Sequence, residues 1–444
     1  MTEGEPLPEP DPAAIMGQRS FLALLVLAAV VGVVASLGAW LFLEAVNLVQ
    51  TGAFDDLPDL LGFDDAPTWW PLPVLAVAGL IVGLAIERLP GRGGHLPANG
   101  LNPQPTLPRD LPGVMLAAVA GIGLGVVLGP EAPLMALGGA LGAMVIRAVR
   151  SDAPPEAGVL MASAGVFAAL SFLFGSPLIA AVLVIEAAAI GGSRLPVVLI
   201  PGLLAAGIGM LISIGLGSWT GVDTSNISLE LLPMPTFDRP DAVEFLWSVP
   251  LAFAVAVVAF AIFTIGKGVA RRAEARPVPA AIVVGVLVAG LAILFELVTD
   301  KGSDQVLFSG QDAIGPLIAN AGTWSLGALL ALIACKGLAY ALALGSFRGG
   351  PVFPALFLAA AAGLAVAGLP GFSTTPAVAV AMGAAMAAIL RLPLSAAVLA
   401  TLLTSKGGLG ADPLIIVGVV VAYLTALWLA KLRPDPAEPA AATN

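Results

Sequence analysis

The chain has 444 residues, of which 59% are hydrophobic and 11% are charged, and its mean hydropathy is +1.00. Soluble domains carry roughly 25% charged residues, so a chain this poor in charge cannot cover a water-facing surface, and lipid must be its main solvent. The net charge of −10, with only 19 basic residues, argues against nucleic acid as a partner.

The single cysteine, Cys335, and the single histidine, His95, exclude several kinds of chemistry. No disulfide can form within the chain, and no cluster of His and Cys can hold a metal ion. A Ser-His-Asp triad would depend on His95, which has no nucleophile motif near it. We therefore predict that the protein is not an enzyme and needs no cofactor or metal, and we interpret His95 as a solvated loop residue.

Apolar runs of about 20 residues, the length of a membrane-spanning helix, recur from Phe21 onward. The polar, proline-rich residues before Phe21 lack the basic region of a signal peptide, so we expect the first run to be retained. The long runs are Phe21–Val49, Trp69–Leu89, Val114–Gly129, Leu195–Leu216, Phe245–Ile265, Val278–Val298, Leu326–Leu344 and Ile415–Leu432.

Between these runs lie shorter apolar pieces that Gly and Pro interrupt: Ala132–Val145, Val159–Phe174, Leu178–Ile190, Val352–Ala367, Ala377–Leu390 and Leu394–Leu403. They are too short or too interrupted for simple spans, and they predict broken helices inside the membrane. A membrane protein tolerates broken helices only where they face protein or a watery cavity, and this pattern is common in transporters.

The basic residues between the runs predict the orientation of the chain. They are concentrated in two linkers and after the last run: Arg88, Arg92, Arg109, Lys267, Arg271, Arg272, Arg276, Lys431 and Arg433. The linkers 51–68 and 221–244 are acidic instead, with Arg239 their one basic residue. Because basic loops remain inside, we predict a multi-pass protein of the cell (inner or plasma) membrane, with both termini in the cytoplasm.

Two motifs occur twice, in the same order. GPxxP occurs at Gly129–Pro133 and at Gly350–Pro354, 221 residues apart, and PLxAAVL begins at Pro177 and at Pro393, 216 residues apart. Such a nearly constant offset indicates an internal repeat. We predict an all-α integral membrane fold with two inverted repeats. The predicted division is a disordered cytoplasmic N-terminus (1–19), a first membrane repeat (20–217), an acidic extracytoplasmic linker (218–244), a second membrane repeat (245–432) and a cytoplasmic tail (433–444).

The GPxxP motifs indicate an anion site. Pro suits the first turn of a helix, and Gly lets the backbone approach a ligand closely. A short intramembrane helix that begins in this way points N–H groups and a positive dipole end into the protein, and such an end binds anions without a basic side chain. Two ends, one from each repeat, could face the same ion. The candidate anion-binding residues, through their backbone, are Gly129, Pro130, Ala132, Gly350, Pro351, Val352 and Phe353.

As a set, these motifs resemble those of the CLC family of chloride channels and exchangers, from about Phe21 to Leu432. Gly129–Pro133 is similar to the GREGP helix start of that family, and Gly349–Pro354 is similar to its GxFxP motif. The chain looks closest to a short, divergent prokaryotic branch that carries GPExP and no regulatory domains. The resemblance implies a homodimer with one pore per subunit, with the helices at Pro177–Ile190 and Pro393–Leu403 as candidates for the interface.

The resemblance also matches Glu131 to the gating glutamate of the family. A carboxylate at a helix N-terminus competes with an anion for the same donors, and protonation would release it. Exchangers of the family carry two adjacent carboxylates at the end of the PL-motif helix, whereas this chain has Glu186 followed by Ala187. Glu186 is therefore the one candidate proton relay, and the alternative is that it is a buried helix residue in an ion pair. Ala187 at the second position argues against proton coupling.

Two further departures concern anion selectivity. The closest match to the GSGIP motif of the family is Gly93–Pro97, which places Gly94 where the family has a serine hydroxyl. The family carries its pore tyrosine on a final helix beyond the last span, and no residue of this chain matches it. Tyr423 lies inside the last apolar run and so does not fill that position. Gly94 joins the candidate anion-binding residues, and backbone N–H groups would then carry the binding. A preference for chloride over fluoride, nitrate or bicarbonate is not assured.

We therefore predict transport of small inorganic anions, chloride foremost, through a membrane-embedded homodimer. Three hypotheses remain open: a passive anion channel gated by Glu131, a proton-coupled chloride or fluoride antiporter, and a secondary transporter of an organic anion. Ala187 and the missing tyrosine favour uncoupled transport. An organic-anion carrier would need a larger cavity with side-chain donors, which the sequence does not show.

Overall fold

The computed structural model describes residues 19–101, 106–192, 194–220 and 231–433. Within these residues the regular structure is helical, as the sequence predicts, and the extended backbone pairs only at an isolated bridge between Gly129 and Gly350. Most of the predicted N-terminus, part of the acidic linker and nearly all of the C-terminal tail lie outside the described residues. The helices are α1 Arg19–Thr51, α2 Leu57–Leu60, α3 Pro71–Arg88, α4 Leu111–Gly123, α5 Glu131–Val149, α6 Pro155–Phe174, α7 Pro177–Ala187, α8 Arg194–Thr220, α9 Ala242–Ala273, α10 Pro277–Thr299, α11 Ile314–Ala319, α12 Leu326–Ser346, α13 Val352–Val366, α14 Thr374–Leu390, α15 Pro393–Thr404 and α16 Asp412–Leu432.

Nine helices in the described part of the chain are long and apolar enough to cross a membrane. Their outward faces carry large apolar side chains, among them Val26, Leu211, Leu246 and Leu297, each more than half exposed. A water-soluble protein rarely exposes so much apolar surface, and lipid is the solvent that suits it. The chain is therefore a multi-pass membrane protein.

Local signals in the sequence position many helix starts. Pro177 and Pro393, the first residues of the two PLxAAVL motifs, each begin a helix, since Pro has no N–H to lose in a first turn. Ser325 caps α12 by accepting a hydrogen bond from the amide of Ala328 at 3.1 Å. Asp241 begins α9 with a capping box that includes Glu244.

Two of the short apolar pieces differ from the prediction. The pieces at Ala132–Val145 and Val159–Phe174 belong to α5 and α6, which are continuous helices of 19 and 20 residues, long enough to span. The prediction that they are interrupted is wrong, because their glycines do not break the helices and instead let the helices pack closely. A Cβ on Gly138 would collide with the carbonyl of Gly165, so these glycines allow the two helices to touch through their backbones.

The run at Val114–Gly129 differs in the opposite direction, because its helix, α4, ends at Gly123. Gly125 has φ +97°, a conformation that favours glycine and turns the chain out of the helix. The residues that follow lead to Gly129 and the start of α5. This early end of α4 brings the first GPxxP motif to the place where it pairs with the second.

By their contacts, the residues form two units. The first contains the described residues within Met1–Phe42, Pro103–Leu111 and Leu134–Ser228, and the second contains those within Leu43–Asn102, Pro112–Pro133 and Leu229–Asn444. In the first unit, side chains of α1, α5, α6 and α8 form a core around Val31, Met161 and Ala205. The repeat boundaries predicted from the sequence remain a prediction.

In the second unit, α3 packs closely along α10. Gly79 and Gly83 of α3 face the backbone of Ala281 and Val278, and Gly285 of α10 faces the carbonyl of Leu75. Small residues at these positions let the two helices approach closely, as is common between helices in a membrane. The second unit also contains both GPxxP motifs, so it holds the candidate site.

Candidate functional site

The two GPxxP motifs meet through their first residues. The amide of Gly129 donates to the carbonyl of Gly350 at 2.8 Å, and the amide of Gly350 donates to the carbonyl of Gly129 at 2.6 Å. This reciprocal pair ties the start of α5 to the start of α13. The two motifs that the sequence analysis identified as a repeat therefore form one site.

Glu131, in the first turn of α5, lies at the centre of this site. Its side chain is fully buried, and its Oε1 accepts a hydrogen bond from the amide of Val352 at the start of α13. The amide of Phe353 and its own amide also hydrogen-bond to the carboxylate. The other oxygen, Oε2, has no hydrogen-bond partner among the described residues. The carboxylate thus occupies amide donors at the N-terminus of α13.

Glycine is required on both sides of this carboxylate. A Cβ on Gly129 would overlap the Oε2 of Glu131, and a Cβ on Gly350 would overlap its Cδ and Oε1. Neither glycine is in the left-handed region, so their role is to leave space for the carboxylate. The site fits a glutamate side chain closely and leaves no room for a methyl group on either glycine.

Only some of the backbone amides predicted from the sequence as anion donors are free of hydrogen bonds to other backbone groups. The amides of Gly129 and Gly350 are engaged with each other, and Pro130 and Pro351 have no N–H to donate. The amide of Gly94 donates to the carbonyl of Gly91 at 2.9 Å. Among the predicted residues, Ala132, Val352 and Phe353 retain amides that an anion could use, and Glu131 engages the last two of these.

Lys336 and Tyr340, one turn apart on α12, are fully buried close to the second motif. Tyr340 donates from its hydroxyl to the carbonyl of Pro351 at 2.7 Å. The Nζ of Lys336 lies 2.8–3.3 Å from the carbonyl oxygens of four consecutive residues, 305–308, and 4.5 Å from the ring centroid of Phe357. Backbone carbonyls therefore satisfy the buried ammonium group of Lys336. The sequence did not indicate Tyr340, because its contact depends on the fold of α12 against the motif.

A cavity of about 360 Å³ lies beside the segment that leads into the second motif. Its lining includes Gly94, Ser346 and four cationic side chains, with Glu274 as its one acidic residue. The cationic residues are Arg92, Lys267, Arg271 and Arg348. The sequence identified Gly94 here, but it gave no signal for Ser346 or Arg348, which the end of α12 places on the same cavity.

Two titratable groups at this cavity or next to it, Arg348 and His95, have pKa values below their ordinary values. Burial, followed by the charge of Arg92, lowers the pKa of Arg348 to about 10, which still leaves the guanidinium charged at neutral pH. Burial, followed by the charge of Arg348, lowers the pKa of His95. His95 keeps much of its surface exposed, as expected for a loop residue, but its imidazole is partly screened from water and lies near Arg348.

Glu186 lies in the last turn of α7 and is partly buried. It belongs to the first unit, whereas Glu131 and both GPxxP glycines belong to the second. Its use as a proton relay therefore remains a prediction from the sequence.

Comparison with known proteins agrees with this arrangement. The profile of the family described as "Voltage gated chloride channel" matches residues 78–427. The protein named "Putative ion-transport protein YfeO" from Escherichia fergusonii is 31% identical over 356 residues, which cover 78% of this chain and 79% of that protein. Its Escherichia coli counterpart is 30% identical over 355 residues with the same coverage.

Solved structures share the fold. A slow cyanobacterial Cl⁻/H⁺ antiporter superposes with a TM-score of 0.73 at 20% identity, covering 91% of this chain and 94% of the other. A CLC-type fluoride/proton antiporter superposes with a TM-score of 0.66 at 18% identity, covering 91% and 95%. The family profile spans most of the chain, and the motifs that carry the resemblance form its central site. The chain therefore belongs to the voltage gated chloride channel (CLC) family.

Proposed function

We propose that the protein transports small inorganic anions, chloride foremost, through the site where the two GPxxP motifs meet, and that Glu131 gates this site. The observation that carries the proposal is the hydrogen bond from the amide of Val352 to the Glu131 carboxylate. A carboxylate and a halide both need N–H donors and a positive helix end. Because they need the same donors, Glu131 and an anion compete for one place.

Gating follows from this competition. With the carboxylate bound to the amides of Val352 and Phe353, an anion cannot reach them. Protonation of Glu131 removes the charge that holds it there, and movement of the side chain vacates the donors. Anion passage then depends on the position of the Glu131 side chain. A substitution that removes the carboxylate mimics its movement away from these amides.

The test is anion efflux from proteoliposomes, with chloride, fluoride and nitrate measured separately. Glu131→Ala should change the rate of chloride efflux by severalfold or more, because the competing carboxylate is gone. Glu156→Gln is the matched control, since Glu156, like Glu131, lies in the first turn of its helix but is exposed. Equal efflux from wild type and Glu131→Ala would contradict the gating role, and no efflux of any of the three anions would contradict the function.

Proton coupling is the second candidate, and it is favoured by the two antiporters of similar fold named above. Recording external pH during efflux separates the two. Proton movement driven against its gradient by chloride would establish an exchanger and would give Glu186 a role. Chloride efflux without proton movement would establish a channel, consistent with Ala187 after Glu186.

We also propose a homodimer in the cell membrane with cytoplasmic termini, in contact with lipid. Leu178 on α7 and Leu394 on α15, each at the start of a PL-motif helix, are 60% and 59% exposed. Large apolar residues at these positions suit a contact with a second copy. Because Cys335 is the only native cysteine and is buried, a Leu394→Cys variant can be cross-linked selectively. A cross-linked dimer in membranes is expected, and its absence would contradict this interface.

A further inference from the structure

A second cavity, of about 410 Å³, lies where the C-terminal ends of α9, α14 and α16 come together in the second unit. The segment 98–101 forms another part of its wall. Four cationic side chains line this cavity: Lys267, Arg271, Arg391 and Arg433. Its described lining contains no acidic residue and no residue of either GPxxP motif, so the cavity is separate from the Glu131 site.

The helix ends account for only part of this positive charge. Lys267 and Arg271 lie in the last two turns of α9, and Arg391 and Arg433 directly follow α14 and α16. A helix C-terminus carries about half a negative charge and stabilises a cation, so three such ends supply roughly −1.5 charges. The four cations exceed this amount, and the excess of positive charge favours an anionic ligand.

The lining changes from apolar to basic along the helices. One face of α9 contributes side chains to the cavity at spacings of three or four residues: Phe260, Phe263, Lys267 and Arg271. At about 1.5 Å per residue, this face is about 16 Å long from Phe260 to Arg271. On α16, small residues precede Arg433 in the same direction. A ligand that fills the cavity is therefore apolar at one end and anionic at the other.

The lipid-facing surface of the protein reaches the basic end of this cavity. Trp428 and Leu432, in the last two turns of α16, are 53% and 60% exposed, and Leu432 precedes Arg433 in the sequence. Apolar side chains this exposed suit acyl chains, and Trp prefers the level of the lipid headgroups. The basic linkers predict that this end faces the cytoplasm, which is the side where membranes carry anionic lipids.

We propose that this cavity binds an anionic phospholipid of the surrounding membrane, with its phosphate at Arg391 and Arg433 and its apolar part along Phe260 and Phe263. Guanidinium groups bind phosphate oxygens through two parallel hydrogen bonds. A small inorganic anion would gain nothing from the aromatic face of α9. Through one headgroup, the lipid links the ends of three helices. Its binding does not depend on anion transport, so the inference stands apart from the proposed function.

The test is native mass spectrometry of the purified full-length protein, titrated with phosphatidylglycerol or with phosphatidylcholine of the same acyl chains. Wild type should bind phosphatidylglycerol roughly tenfold more tightly. The double variant Arg391→Gln/Arg433→Gln should weaken phosphatidylglycerol binding by roughly tenfold or more, because two cations that face the phosphate are gone. These two arginines are chosen because Lys267 and Arg271 also line the 360 Å³ cavity.

Matched controls separate the cavity from general surface charge and from general apolar contact. Arg272→Gln/Arg276→Gln removes two exposed arginines near the end of α9 that do not line the cavity, so phosphatidylglycerol binding should equal that of wild type. Phe260→Ala removes an apolar part of the lining and should weaken binding severalfold. Phe253→Ala removes a ring that is 46% exposed on the same helix, outside the cavity, and should have no effect.

Equal phosphatidylglycerol affinity in wild type and Arg391→Gln/Arg433→Gln would overturn the proposal, as would equal affinity of wild type for the two lipids. Displacement of the lipid by soluble glycerol phosphate at a similar concentration would also overturn it, because the site would then hold a free anion.

If the variants do not fold, cryo-electron microscopy of wild type in phosphatidylglycerol nanodiscs decides. A headgroup phosphate within hydrogen-bonding distance of Arg391 or Arg433 supports the proposal. A cavity without lipid, or one filled by residues 434–444 or by a second copy of the chain, overturns it.

Discussion

Gly129 and Gly350 exchange two backbone hydrogen bonds, at 2.8 and 2.6 Å, and so join the starts of two helices that lie 221 residues apart in sequence. Each glycine also leaves the space into which the Glu131 carboxylate fits. This pair of glycines therefore positions Glu131 and leaves the room that its carboxylate needs.

Gly350→Ala should displace the Glu131 carboxylate from the amide of Val352, since the added methyl group would occupy the position of its Cδ and Oε1. We expect anion efflux from this variant to resemble that of Glu131→Ala. The proteoliposome efflux assay measures it. Gly290→Ala is the control, because nothing lies within 4 Å of a Cβ at that helical position. Wild-type efflux from a folded Gly350→Ala variant would show that the carboxylate can be accommodated elsewhere without consequence.

Lys336→Met should lower the free energy of unfolding by roughly 3 kcal/mol or more, because the four carbonyls of residues 305–308 would lose a buried charged donor. Denaturant unfolding in detergent, followed by tryptophan fluorescence, measures the loss. Lys301→Met is the control, since it loses only a cation–π contact at 4.2 Å to Trp324, a loss of about 0.5–1 kcal/mol. Equal losses in the two variants would contradict the role given to Lys336.

Gly138→Ala should destabilise the first unit by about 1–3 kcal/mol, since a methyl group there would collide with the carbonyl of Gly165 on α6. The midpoint of thermal unfolding checks this. Gly158→Ala, in the first turn of the same α6, meets no atom within 4 Å and should leave stability unchanged or slightly raised. A neutral Gly138→Ala would mean that α5 and α6 do not touch through these glycines.

Arg348→Gln should raise the pKa of His95, because the charge of Arg348 is the second cause, after burial, that holds this pKa below 6.5. His95 is the only histidine, so its imidazole signals can be titrated by NMR without ambiguity. Wild-type stability should fall as the pH drops through about 6.5, since the unfolded chain then binds a proton that the folded chain resists. Arg391→Gln, whose charge is not among the causes of the shift, is the control. An unchanged His95 pKa in Arg348→Gln would contradict the electrostatic coupling.

The fold could be predicted largely because Pro and Gly mark helix ends so clearly in this chain. Pro177 and Pro393 begin helices where the repeat places them, and the two GPxxP motifs meet as their duplication suggested. The continuity of α5 and α6 was missed because glycines that break a water-soluble helix can serve as contact points between membrane helices. Sequence alone does not separate these two uses of glycine.

The site was predicted at the level of motifs but not of atoms. The motifs gave no indication that the amides of Gly129 and Gly350 are engaged with each other, because that depends on pairing across the fold. The four carbonyls that accept hydrogen bonds from Lys336 belong to the backbone of residues 305–308. Backbone carbonyls have no sequence signature, so this contact could not be predicted.

The central claim is that the Glu131 carboxylate holds the place of an anion at the amide of Val352. Anomalous diffraction from crystals of wild type and Glu131→Ala, both grown in bromide, tests it most directly. The account predicts a bromide within hydrogen-bonding distance of the Val352 amide in Glu131→Ala and none at that position in wild type. A bromide beside the Val352 amide in wild type with Glu131 still in place, or no bromide there in a Glu131→Ala variant that transports bromide, would contradict it.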